Sequence, residues 1–187
     1  METMAGMKRS HHCAESSQQA VGQEVVLCGW VARRRDHGGL IFIDLRDRSG
    51  IVQVVYSPDC GADIFAAVET VRSEFVLQVK GKGAKRTEDT VNANLATGMI
   101  EVIGETIEVL NAAKTPPFYI QDNVDVDENL RLRYRYLDLR RPEMQYNLIL
   151  RHKVAKLMRD YMDGHGFLEV ETPMLTKSTP EGARDYL

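Results

Sequence analysis

Three arginines in succession, a turn, and two apolar strands carrying one phenylalanine and one amide stand out in GWVARRRDHGGLIFIDLRDRSGIVQVVY, residues 29–56. Guanidinium groups pair well with phosphate oxygens. A phenylalanine ring on a strand surface can stack on an unpaired base, a contact of about 1–3 kcal/mol that tolerates every base. An amide offers a donor and an acceptor together, which suits the hydrogen-bonding edge of a base. Arg33, Arg34, Arg35, Phe42 and Gln53 therefore have the chemistry to hold a single-stranded loop of nucleic acid. Plainer roles stay open at this level: Phe42 as a core aromatic, Gln53 as an ordinary exposed strand residue. Phe42 shares a strand face with Leu40 and Asp44, and a carboxylate is awkward in a core. Successive side chains on a strand point to opposite faces, so the three arginines cannot share one job.

These residues need a scaffold. Residues 24–33 (EVVLCGWVAR), 40–46 (LIFIDLR) and 51–56 (IVQVVY) read as strands, separated by the turns DHGG and DRSG. Ile64, Phe65, Val68 and Val71 fall at helical spacing and predict a helix over 62–72. Residues 74–82 alternate again, 83–98 form a long polar loop, and 99–110 form the last strand with Gly104 as a bulge. Five strands with a helix between the third and fourth is the plan of an all-β OB-fold barrel, here expected over 20–110 behind a flexible segment 1–19. Residues 111–141, with a Pro-Pro pair and an acidic stretch, read as a hinge.

Pro142 suits the first turn of a helix. Leu150, Val154, Leu157, Met158 and Tyr161 then define one apolar stripe on a helix ended by Gly164 and Gly166. FLEVE, at 167–171, is expected to be a short strand. One amphipathic helix and one strand cannot close a core. Residues 142–187 therefore read as the start of an α+β domain that is incomplete, or is completed by another chain.

Composition narrows the setting. With 43% apolar and 27% charged residues the 187-residue chain falls in the globular range. No apolar run approaches the roughly 20 residues of a membrane span, and no apolar signal core opens the chain. Cys13, Cys28 and Cys60 are odd in number and form no CxxC pair, as expected of reduced thiols in a cytoplasm. His11, His12 and Cys13 are adjacent and cannot all face one ion, so no metal site is expected. The net charge is −3, yet residues 33–48 hold five arginines (33, 34, 35, 46 and 48) against three aspartates (36, 44 and 47). A local basic patch on an acidic body is compatible with phosphate contact.

Four stretches in order carry a resemblance. GWVARRRDHGGLIFIDLRDRSGIVQVV resembles the anticodon-binding domain of bacterial aspartyl-tRNA synthetases. RYRYLDLRRPEM is similar to the class II subgroup that charges aspartate, asparagine and lysine. HGFLEVETPML resembles motif 1 of class II aminoacyl-tRNA synthetases, with Pro173 as its proline. TPEGARDYL resembles the loop beside the aspartate pocket. The family's ATP-binding motifs 2 and 3 lie further along than this sequence extends. By resemblance it is the N-terminal portion of such an enzyme, ending just after motif 1, and is expected to be inactive alone. ATP and Mg2+ belong to the full-length enzyme.

The resemblance implies roles for single residues. Phe42 stacks an anticodon base, and Gln53 reads the middle uracil. Arg35 best matches the family's anticodon contact, and Arg86 is a second candidate for a phosphate or base. Glu101 accepts a hydrogen bond from the third base, cytosine. Glu181 contacts the amino group of L-aspartate. The helix at 147–164, the strand at 167–171 and Pro173 contribute to a homodimer interface. His37, followed by Gly38 and Gly39, resembles enzymes that charge both tRNA(Asp) and tRNA(Asn), where a leucine resembles strict ones. The relaxed enzymes often carry glycine at the position aligned with Asp89, so Asp89 departs from the pattern. The alternatives are a stand-alone OB-fold RNA-binding module, or part of an asparaginyl- or lysyl-tRNA synthetase.

Overall fold

The computed structural model describes residues 8–15 and 20–174. Among them no helix is long and apolar enough to cross a membrane. The chain divides into two compact units, Met1–Tyr119 and Ile120–Leu187.

In the first unit five strands close a barrel in the order β1-β2-β3-β5-β4. They are β1 (Glu24–His37), β2 (Leu40–Arg46), β3 (Ile51–Tyr56), β4 (Val76–Lys85) and β5 (Ile100–Asn111), with helix α1 (Ala62–Thr70) between β3 and β4. The alternating apolar residues of each strand turn inward, among them Leu27, Ile43, Leu45, Val54 and Leu77, all fully buried. Trp30, the single tryptophan, sits in β1 opposite Arg46 of β2 and Val76 of β4. β1 is longer than its expected span, and β4 starts later and runs on to Lys85, shortening the polar loop.

Two local features set the phase of β1 and β2. Gly38 and Gly39 have φ of +59° and +79°, and His37 pairs with Leu40 around them. A two-residue hairpin loop of type I′ has positive φ at both positions, which glycine adopts without strain. At the other end the β1–β2 register shifts between Val31 and Arg33. The extra residue, Ala32, re-phases the strand. Val31 faces the core, yet Arg35 lies opposite outward-facing Phe42 and Arg34 opposite core residue Ile43.

The barrel closes along β3 and β5, a short parallel pairing of Val54 with Val102 and Val55 with Ile103. Side chains extend this seam. Tyr56 is fully buried, and its hydroxyl donates to the Thr106 carbonyl at 3.0 Å. Its ring lies against Gly104, where a Cβ would collide with it. Thr97 donates to the Ile51 carbonyl at 2.7 Å. Beside Gly104 the β4–β5 register slips between Lys80 and Gly81. The irregularity expected at this glycine is thus tied to the approach of Tyr56.

The expected flexible segment 1–19 needs correcting for residues 8–15, which pack on the barrel. The Ser10 N–H donates to the Val26 carbonyl at 2.9 Å. Cys13 is fully buried, and its N–H donates to Asp47 Oδ2 at 2.9 Å. His12 Nδ1 lies 3.0 Å from the same oxygen. The other oxygen of Asp47 accepts from the N–H and hydroxyl of Ser49. Burial alone would push the Asp47 carboxyl up. The hydrogen bonds from Ser49, Cys13 and His12 outweigh burial and hold it at about 2.

In the second unit, α2 (Glu128–Arg133) and α3 (Arg135–Asp138) precede α4 (Pro142–Gly164). Asp127 caps α2, accepting from the Asn129 N–H at 2.9 Å. Asp138 is fully buried and takes hydrogen bonds from three arginines: Arg131 at 3.0 Å, Arg135 at 2.6 Å and Arg141 at 2.8 Å. Desolvation would raise its carboxyl; Arg131 and Arg141 outweigh that and lower it. α4 starts at Pro142 and ends where Gly166, at φ +82°, lets the Phe167 N–H reach the Met162 carbonyl at 3.1 Å. No residue of α4 is buried, and Leu157 of its apolar stripe is 68% exposed. The strand expected at 167–171 is not formed. A strand needs a hydrogen-bonding neighbour, and no described segment pairs with it; Leu168 stands 86% exposed.

The Asp47 contacts make stability pH-dependent. An unfolded aspartate titrates near ~3.9. The folded value lies lower, so the stabilisation is full above about pH 5 and is lost as pH falls toward 2. Denaturation at successive pH values should show the advantage of wild type over Asp47→Asn shrinking by about 2 kcal/mol across that window.

Candidate nucleic-acid interface

The outward residues of the barrel form two neighbouring cross-strand rows. In one, Arg35 of β1 pairs with Phe42 of β2, Phe42 with Val55 of β3, and Val55 with Ile103 of β5. In the other, Arg33 pairs with Asp44, and Asp44 with Gln53. Glu101 stands two residues before Ile103 and so continues the second row on the same face. Phe42 is half-buried there and lies outside the core cluster. The bulge at Ala32 puts Arg33 and Arg35 on this face and turns Arg34 away from it.

Charge on the face is organised by pairing. Arg35 Nη2 donates to both oxygens of Asp44, at 2.8 and 3.1 Å. Asp44 thus fixes the arginine beside the Phe42 ring. Sequence reasoning noticed Asp44 only as an obstacle to a core reading; an acid two residues from an outward aromatic was the available signal of this partnership.

Arg86 is placed differently from a residue that meets a phosphate. It is 6% exposed, just past the end of β4. Its Nε donates to the Ile100 carbonyl at 3.1 Å, and its Nη1 to the Thr90 carbonyl at 3.2 Å. Its Nη2 donates to Gln53 Oε1, and Glu101 Oε2 lies 3.5 Å from Nε. One buried guanidinium therefore joins β3, β5 and the loop after β4. It holds Gln53, itself 6% exposed, by its carbonyl, which leaves the NH2 end as the group Gln53 can offer to a ligand. The contact to Thr90 carries no signal in the sequence, because any residue supplies a main-chain carbonyl.

Arg35, Phe42, Gln53, Arg86 and Glu101 thus gather on one side of the barrel. His37 is exposed at the end of β1, two residues beyond Arg35 and on the same face by alternation. Asp89 is exposed in the short turn Glu88–Thr90, next to the carbonyl that Arg86 holds. Pro173 is exposed in the second unit. Glu181 lies outside the described residues.

Comparison with known proteins assigns both halves of the chain. Residues 25–110 match the OB-fold nucleic acid binding domain family. Residues 127–187 match the class II tRNA synthetases for D, K and N. Over residues 127–187 the chain is thus similar to the class II tRNA synthetases. It is 63% identical over its whole length to the aspartate–tRNA(Asp/Asn) ligase of Heliobacterium modesticaldum, of which it covers 31%. It is 62% identical over 181 residues to the aspartate–tRNA ligase of Geobacillus kaustophilus, covering 97% of this chain and 31% of that protein. The asparaginyl-tRNA synthetase of Pyrococcus horikoshii complexed with asparaginyl-adenylate superimposes with a TM-score of 0.80 at 27% identity, over 95% of this chain and 39% of that one. The chain spans about a third of the length of the curated relatives it matches.

Removing the Arg86 side chain leaves the Gln53 carbonyl without its donor in a buried place. Arg86→Ala should lower stability by about 1–3 kcal/mol in denaturant titration, whereas exposed Asp89→Ala should change it little.

Proposed function

We propose that this chain supplies anticodon recognition to an aspartate–tRNA ligase, which attaches L-aspartate to tRNA(Asp) and also to tRNA(Asn). The observation that carries the reading is the single outward face bearing Arg35, Phe42, Gln53 and Glu101. Phe42 stacks an anticodon base, and Arg35, held by Asp44, stands beside it for the backbone or a base. Gln53 offers its amide N–H to the middle uracil, whose carbonyl oxygens accept. Glu101 accepts from the amino group of the third base, cytosine. Arg86 acts through Gln53 and Glu101 by positioning them.

The full-length protein uses ATP and Mg2+, neither of which is assigned to a described residue. Glu181 is assigned to the amino group of aspartate. The exposed stripe of α4 and Pro173 are assigned to contact with a second copy of the chain. The three free cysteines suit a reducing cytoplasm.

Anticodons for aspartate and asparagine differ at the third base, cytosine against uracil. Glu101 alone favours cytosine, so acceptance of both requires loose surroundings. His37 beside two glycines, where strict relatives of the family carry leucine, supports a relaxed reading.

Two measurements test this function. Phe42→Ala should cost about 1–3 kcal/mol in binding an anticodon stem-loop while leaving the barrel folded; unchanged binding by the folded variant sinks the stacking role. Aminoacylation by the full-length protein should proceed with both purified tRNAs, and His37→Leu should gain discrimination against tRNA(Asn). Rejection of tRNA(Asn) by the wild type, or no gain from leucine, refutes the role of His37.

A further inference from the structure

A cleft of about 640 Å³ opens between β1 and the segment joining α1 to β4. Arg33, Arg34 and Arg72 line it, with Glu69 as the single acid and Tyr119 at its edge. None of these residues has a part in base reading above.

One of the cations, Arg72, is held in place without being neutralised. Arg72 Nη1 donates to two main-chain carbonyls, those of Glu69 at 2.9 Å and Val71 at 3.0 Å. A carbonyl fixes a guanidinium without cancelling its charge. Arg34 pairs through Nη1 with Asp36 at 2.9 Å, but its Nε is buried with no hydrogen-bond partner among the described residues. Arg33 forms no ion pair among the described residues. Tyr119 is 63% exposed and offers an aromatic surface beside the charges.

The cleft is continuous with the reading face. Arg33 shares the outward row of Asp44 and Gln53, two residues from Arg35, while also lining the cleft. We propose that the cleft holds backbone phosphates of the RNA strand that flanks the bases met by Phe42 and Gln53. This rests on the anticodon reading above. Fixed guanidinium forks match phosphate oxygens, and the contact carries no base preference. An acidic peptide is the competing occupant.

The test uses the 187-residue chain and an anticodon stem-loop RNA, with binding measured between about 50 and 200 mM salt. The variants are Arg33→Gln, Arg72→Gln and the pair together. Each phosphate contact removed should flatten the plot of log K against log salt by about 0.7. Affinity should fall by the same factor for a loop whose bases have been exchanged. Phe42→Ala, in contrast, should weaken binding with the slope unchanged. Because Arg72 also binds the end of α1, denaturation checks each variant; Arg72→Lys, which keeps the charge, should retain the slope.

An unchanged slope in the folded double variant overturns the proposal, as does a loss confined to one loop sequence. An acidic peptide that binds more tightly than RNA and depends on Arg33 and Arg72 overturns it too. If wild type binds and Phe42→Ala weakens binding while the arginine variants behave as wild type, only the cleft assignment fails. If wild type binds no stem-loop at low salt, the anticodon reading fails with it.

Discussion

The short parallel seam between β3 and β5 is the constraint on which the barrel rests. Four of the five strand junctions are longer antiparallel ladders, but closure comes down to Val54 with Val102 and Val55 with Ile103. A parallel pair is slightly less stable per residue than an antiparallel one. Side chains compensate. Tyr56 reaches across to the Thr106 carbonyl and presses its ring on Gly104, Thr97 ties the loop to β3, and Arg86 bonds Gln53 on β3 and the Ile100 carbonyl on β5. The seam is closed by polar contacts at specific places rather than by ladder length.

That arrangement joins stability to recognition. Gln53 and Glu101 flank the seam, and the group that orients them also ties it together. Under the anticodon reading, a ligand that competes for Gln53 or Glu101 competes with the closure of the barrel. Phe42 stands apart. Its neighbours are Arg35 and Val55, and its ring lies outside the core cluster. A face divided in this way can vary its stacking surface independently, but its hydrogen-bonding readers only together with the seam.

What could be seen in the sequence follows from range. β2 and β3 were legible because alternation over LIFIDLR and IVQVVY is a local signal, and the glycine pair after His37 marks its own turn. The outward setting of Phe42 followed from its parity with Asp44. The burial of Arg86 was not legible, since two of its partners, Ile100 and Gln53, lie 14 residues or more away. Nor was the grip of Asp47 on Cys13, 34 positions earlier, which made a polar N-terminal stretch look free. Asp138 drew three arginines from a run that looked like repeated charge. FLEVE misled in the other direction: its residues favour a strand, but a strand exists only with a neighbour to bond, and periodicity says nothing about whether one is at hand.

The position of Trp30 gives the molecule a built-in optical label. The only indole in the chain lies in β1 between β2 and β4, so its emission senses the barrel wall. Among the described residues the longest helix, α4, belongs to the other unit and holds more than half of the α-helical residues that far-ultraviolet circular dichroism reads. Fluorescence and dichroism recorded on one unmodified sample therefore follow different units. If the two transitions coincide, the units unfold as one cooperative body; if they separate, each has its own melting curve, obtained without attaching a dye or dividing the chain.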